Sequence, residues 1–289
     1  MKPQDILTLV SGLASGLAGG RPAAVPGVAP RVAVRVDAAC PREVVGWVRR
    51  ALTPDREGVL VDVAPAAGEG ASRTRPGTAA AVVLGCDRDA LACARRLAAS
   101  GLPCCLVADG RVDRRLADGG ALRVVAAGDE RSTLRQLASW LAAASDDARL
   151  AEPFAFSRDA AGARLVSDCA TRNVLVGAVG LIPGSQMPVM TANELSLALD
   201  LGRLRGREEP ASLAPQLAGV VVAGFALRGL SRALTRALPW AGFPVRCLVA
   251  LGGTYAVGRA VDASLSAGAG EGPEGARDPV PGVPVVRSL

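Results

Sequence analysis

No histidine occurs among the 289 residues. That absence removes the usual proton shuttle near neutral pH, the His-based nucleophile triads and every His-containing metal site. Aromatic residues make up only 3% of the chain, so a core has to be assembled from Ala, Val and Leu with few large anchors. The stacking platforms on which nucleic-acid bases rest are missing for the same reason, and nucleic acid is not an expected partner. The seven cysteines, Cys40, Cys86, Cys93, Cys104, Cys105, Cys169 and Cys247, include no CxxC pair. Their odd number and apolar surroundings suit reduced, buried thiols rather than a disulfide framework or a metal cage.

The phosphate loop of ordinary nucleotide hydrolases is also lacking. Such a loop surrounds phosphate with backbone N–H groups, and it needs glycines, a lysine and a hydroxyl. Here the turn after the first Val-rich run reads DAACPREVVGW. Asp37 and Glu43 bring negative charge to it, Pro41 removes a backbone donor, and no glycine precedes the helix. The turn argues against NTPase activity, and no cofactor, metal or catalytic residue is expected. What the chain does have is a formal charge of +6, carried by arginine far more than lysine. It is compatible with attraction to an anionic surface and equally with solubility alone.

Periodicity divides the chain into four stretches. Ile6, Leu9, Val10, Leu13 and Leu17 recur at helical spacing, which predicts a helix over 1–20, ended by Gly19-Gly20 before a Pro-rich linker. Residues 31–146 alternate short apolar runs with amphipathic stretches: RVAVRVD, GVLVDVA, AAVVLG, PCCLVA and LRVVAA read as strands, with helices at 88–100 and 131–145. That alternation predicts an α/β domain with a mostly parallel sheet covered by helices, in which the neighbours Cys104 and Cys105 point to opposite faces. A join falls at 146–157, and residues 158–264 read as an all-α domain of antiparallel helices linked by short Pro and Gly turns. The Gly- and Pro-rich stretch 265–289 reads as a flexible tail.

The order of the α/β runs resembles the later part of a translation-factor-related GTPase domain. LVDVAPAAG looks like the strand and turn that sense the γ-phosphate, and GLPCCLVADGRVD like the strand that ends in the guanine-reading motif. The chemical positions depart from that pattern: Pro65 comes one residue late after Asp62, and Gly110-Arg111 stands before Asp113 in place of Asn-Lys. The resemblance implies a degenerate GTPase-like domain. In the C-terminal part, NVLVGAVGLIPGSQMPVMTANELSLALDLGR and GFALRGLSRALTRALPWAGFPVRCLVALGGTYAVGRAVD resemble the uncharacterised GTPase-associated helical family that includes the YcjF-type inner-membrane proteins. The pieces that carry it are the Pro183-Gly184 turn, Glu194, the Pro239 to Gly242 turn and the run from Gly253-Thr254 to Gly258-Arg259. The resemblance implies association with membranes or with a GTPase, and no established reaction.

Candidate contacts follow from spacing. Arg228, Arg232 and Arg236 recur at i, i+4, a basic line near the C-terminus of a helix, where cations are favoured. Its expected counterpart is an anionic membrane surface or a membrane-linked protein, and a solvated helix face gives the same pattern. Apolar intervals broken by Pro183, Pro188 and Arg246 are too short for simple spans. Expected locations are the cytoplasm, the cytoplasmic membrane face, or inserted hairpins. The reading that results is a non-catalytic interaction or regulatory protein. The alternative is an enzyme that uses Asp62 or Asp87 with Arg73, in a loop holding Gly68, Gly70, Gly77 and Arg75.

Overall fold

A computed structural model describes residues 29–68, 70–108, 121–144, 149–179, 186–207, 210–237 and 242–269. The helix expected over 1–20 lies outside them, as do Asp113 and residues 270–289. The chain divides at Ala161/Gly162 into two compact units: a mostly parallel α/β unit first, then an all-α unit.

In the first unit the five apolar runs become β1 (Arg31–Val36), β2 (Leu60–Pro65), β3 (Thr78–Leu84), β4 (Cys104–Ala108) and β5 (Leu122–Ala126), with α1 (Arg42–Ala51), α2 (Arg88–Ala99) and α3 (Glu130–Ala144). The strands pair in parallel, in the order β2-β1-β3-β4-β5. A parallel sheet covered on both sides needs strands that are apolar almost throughout, and β4 is buried at every residue. Val34, Val82, Leu84 and Cys105 pack on one side with Val44 and Val48 of α1 and Leu137 and Leu141 of α3. On the other side Ala33, Ala81, Val83 and Cys104 pack with Cys93 and Leu97 of α2. The neighbours Cys104 and Cys105 therefore enter opposite cores.

The helix-between-strands rhythm is interrupted between β2 and β3. The described residues there, 66–68 and 70–77, form a loop, with Ala66 and Ala71 filling the second core. Residues 149–157, read from composition as the join between domains, carry Leu150 and Phe154 into the first core. The Ser157 hydroxyl donates to the carbonyls of Ala151 and Phe154 at 2.8 and 2.9 Å.

The second unit consists of α4 (Arg158–Val179), α5 (Gln186–Leu204), α6 (Ala214–Ala237) and α7 (Gly242–Ala269). The last helix continues past the end at 264 that composition suggests, because Leu265 is fully buried and extends the inward row of Val261. Small residues bring these helices together: a Cβ on Gly258 would lie 2.9 Å from both Cγ atoms of Val166 and 3.0 Å from Leu197. With few aromatics to fill gaps, close backbone approach supplies the packing density.

Inside this unit runs a chain of polar groups. Asn193 Nδ2 donates to Asn173 Oδ1 at 2.8 Å, Asn173 Nδ2 donates to Thr254 Oγ1 at 2.9 Å, and Thr254 donates to Glu194 Oε1 at 3.0 Å. Asn173, Thr254 and Glu194 are all buried, so the chain meets the requirement that interior polar groups find partners. Burial pushes the Glu194 carboxyl above its usual range, and the Thr254 bond opposes part of that rise. About two to three helical turns further along, Arg205 and Asp262 form an ion pair at 2.8 Å.

Candidate functional site

Sheet order marks one switch point among the described strands of the α/β unit. β1 leads to a helix on one face and β3 to a helix on the other, so the chain parts at the carboxyl ends of these neighbouring strands. Open α/β sheets bind ligands at such a switch point. Asp37 follows β1 there, and its N–H donates to the Leu84 carbonyl at 2.8 Å, extending the ladder by one residue. Its Oδ1 accepts from Ala39 N at 3.0 Å, which turns the chain towards Pro41 and α1. Beside it Gly85-Cys86-Asp87 follows β3, and Asp87 caps α2 by accepting from Ala90 N at 2.8 Å.

Gly85 is what lets the two strand ends close. Its φ of +156° is one that side chains rarely adopt, and a Cβ would stand 2.5 Å from the Asp37 Cβ and 2.8 Å from both Asp37 Oδ2 and the Ala90 Cβ. Asp37 is 7% exposed and its Oδ2 meets no hydrogen-bond partner among the described residues. Burial holds the Asp37 carboxyl above its usual range; the bond from the Ala39 amide opposes that rise, and the neighbouring acids Asp87 and Asp89 add to it.

The acids and arginines of the enzyme alternative are not brought together. Asp62, 6% exposed, lies under the loop, where its Oδ2 meets Arg35 Nη2 at 3.3 Å. Arg75 approaches the other oxygen at 3.7 Å. Arg73 is exposed and contributes its carbonyl, which accepts from Arg35 at 2.8 Å. Asp87 belongs to the switch point. The glycine-containing loop is thus fastened by Arg35, a residue that no motif or spacing singles out. A signal for it is nonetheless present: an arginine within RVAVRVD shares a sheet face with Ala33, and a cation on that face must find a buried acceptor.

The helical unit presents a different surface. On α6 every described exposed residue is apolar or glycine, as with Pro215, Ala218, Val222, Ala226, Leu230 and Ala233. Val222 is 68% exposed and Leu230 50%. On α7, Leu248, Leu251 and Tyr255 are exposed and share one side at i, i+3, i+7. Arg228, Arg232 and Arg236 all lie on α6, and their side chains are outside the described residues. At about 100° per residue, the backbone positions of Arg232 and Arg236 follow the border of the apolar stripe. That of Arg228 is nearer the side on which a Cβ at Gly224 would come to 3.9 Å from Glu194 Oε2.

The apolar stripe does not make an inserted hairpin. Among the described residues no helix is long and apolar enough to cross a membrane, which overturns the expectation of integral membrane hairpins. The physical reason lies in the helices themselves: α7 is interrupted by Arg246, Arg259 and Asp262, and Pro210 and Pro215 stand at the entry to α6. Comparison with protein-family models, with curated proteins and with solved structures finds no match to this chain.

Proposed function

We propose that the chain is a non-catalytic interaction protein whose helical unit docks reversibly on an anionic membrane surface through the exposed side of α6. The observation that carries this reading is that side's lack of any polar group among the described residues, over the five turns from Pro215 to Ala233. Soluble proteins seldom leave a continuous apolar surface of that kind without a counterpart. Arginine positions along its border suit lipid phosphate. The resemblance of residues 173–262 to GTPase-associated helical proteins points the same way. Side chains such as Val222 and Leu230 gain about 1.5–3 kcal/mol each when fully removed from water. An arginine near an anionic bilayer adds about 1 kcal/mol, weakened by salt. These terms hold a protein on a surface and let it leave.

Co-sedimentation of the full chain with phosphatidylcholine vesicles, with and without phosphatidylserine, tests the proposal. Binding should require the anionic lipid, fall as salt rises, and be lost in the double variant Val222→Asp, Leu230→Asp while the far-UV circular dichroism is unchanged. Absence of binding by the wild type, or full binding by that variant, overturns the membrane reading and turns attention to a protein surface as the counterpart.

A further inference from the structure

We propose that the N-terminal segment, residues 1–20, docks as an amphipathic helix on the exposed apolar row of α7 and runs antiparallel to it. Leu248, Leu251 and Tyr255 form that row, and Leu248, 71% exposed, is the most exposed large apolar side chain among the described residues. A row of this kind marks an interaction surface. The membrane reading uses the exposed side of α6 and leaves the α7 row without a counterpart, so the two proposals stand independently. The segment 1–20 is in the same position, an apolar face with nothing yet assigned to it.

Spacing, length and charge fit the one to the other. Ile6, Leu9, Leu13 and Leu17 recur at i, i+3, i+7, i+11, and Leu248, Leu251, Tyr255 and Arg259 recur at the same offsets. Each row therefore keeps to one side of a helix for about 16 Å. Antiparallel alignment brings Leu17 level with Leu248, Leu13 with Leu251 and Leu9 with Tyr255, and it places Asp5 and Ile6 beside Arg259. Asp5 is the only acid before Asp37. Arg259 is the row's single cation, with its side chain 52% exposed and 3.8 Å from Asp262. A parallel alignment would set Asp5 against Leu248 instead, so charge selects the direction while apolar contact supplies the affinity. Tethering through the stretch around Pro22, Pro26 and Pro30 makes the contact intramolecular and raises its effective concentration. A lipid surface fits this row less well, because its one cation is already shared with Asp262.

Photo-crosslinking on the full chain tests the contact, with p-benzoylphenylalanine in place of Leu13. After irradiation and trypsin digestion, mass spectrometry should find the N-terminal peptide joined to residues 247–259, the peptide that ends at Arg259, in a product of monomer size. Leu251→Asp, at an exposed position, should remove most of that product while the far-UV circular dichroism is unchanged. Arg259→Glu should lower the yield, and Asp5→Arg in the same chain should restore it. Attachment to α6 or to the α/β unit, a product of dimer size, no product at all, or a yield that Leu251→Asp leaves unchanged overturns the docking. A charge exchange that restores nothing overturns the antiparallel direction.

Discussion

Arg35 of β1 and Asp62 of β2 meet at 3.3 Å beneath the loop that joins β2 to β3, with side chains 2% and 7% exposed. Arg35 also donates to the carbonyls of Val34, Asp62, Ala71 and Arg73 at 2.8–3.2 Å. One guanidinium, planar and rich in donors, thereby replaces the helix that would ordinarily cover this part of the sheet.

Removing one member of that pair should be far worse than removing both. Arg35→Met leaves Asp62 buried with only the distant Arg75, and such a change costs about 3–5 kcal/mol. The double variant Arg35→Met, Asp62→Leu should recover a large part of the loss. Urea denaturation of the two variants and the wild type measures it, and limited proteolysis should cut Arg35→Met first within residues 66–77.

The raised pKa of Glu194 has a sign that can be checked. The folded protein holds this proton more tightly than the unfolded chain does, so the associated stability is complete below the ordinary value of about 4.5. It is lost as pH rises through the higher folded value. Glu194→Gln keeps an acceptor for Thr254 and removes the titration. Its stability relative to wild type should therefore improve as pH increases from about 4.5 towards neutrality, as followed by thermal melts across that range. A difference independent of pH would show that Glu194 titrates normally.

Two glycines of α7 should respond to alanine in opposite directions. Gly252 is exposed, with nothing within 4 Å of the place a Cβ would take, so Gly252→Ala should stabilise by about 1 kcal/mol through helix propensity. At Gly258 the new methyl would meet Val166 at 2.9 Å, and a β-branched side chain has little freedom to turn away. Gly258→Ala should cost about 1–3 kcal/mol from overpacking, less the propensity gain. Denaturant midpoints of the two variants are sufficient to decide.

Thiol labelling should follow burial. The Cys104 and Cys169 thiols are pushed up to about 12 by burial, and Cys93 is raised for the same reason. Thiolate is the reactive form. In folded protein at pH 8, iodoacetamide should leave these three unmodified while the partly exposed Cys86 reacts, as read by peptide mass spectrometry. Labelling of Cys104 at a rate near that of Cys86 would indicate that the sheet opens readily.

Local pattern alone determined the fold class. Val-rich runs of period two or continuous apolarity became the parallel strands, the opposite directions of Cys104 and Cys105 followed from strand geometry, and the region after the sheet is all-α as its pattern implied. The candidate sites were less legible, because each depends on residues distant in sequence. Asp37 reads as an obstacle to phosphate, and only the placement of β3 beside β1 brings Gly85 and the start of α2 against it. Arg35 and Asp62 are 27 residues apart and become partners only through strand register. Glu194 and Thr254 stand out in the sequence only as pieces of a family resemblance, and their shared hydrogen-bond chain with Asn173 exists only where three helices close around it. Periodicity records which face of an element is apolar, whereas strand order and helix contact decide which polar groups are buried together, and that pairing sets their chemistry.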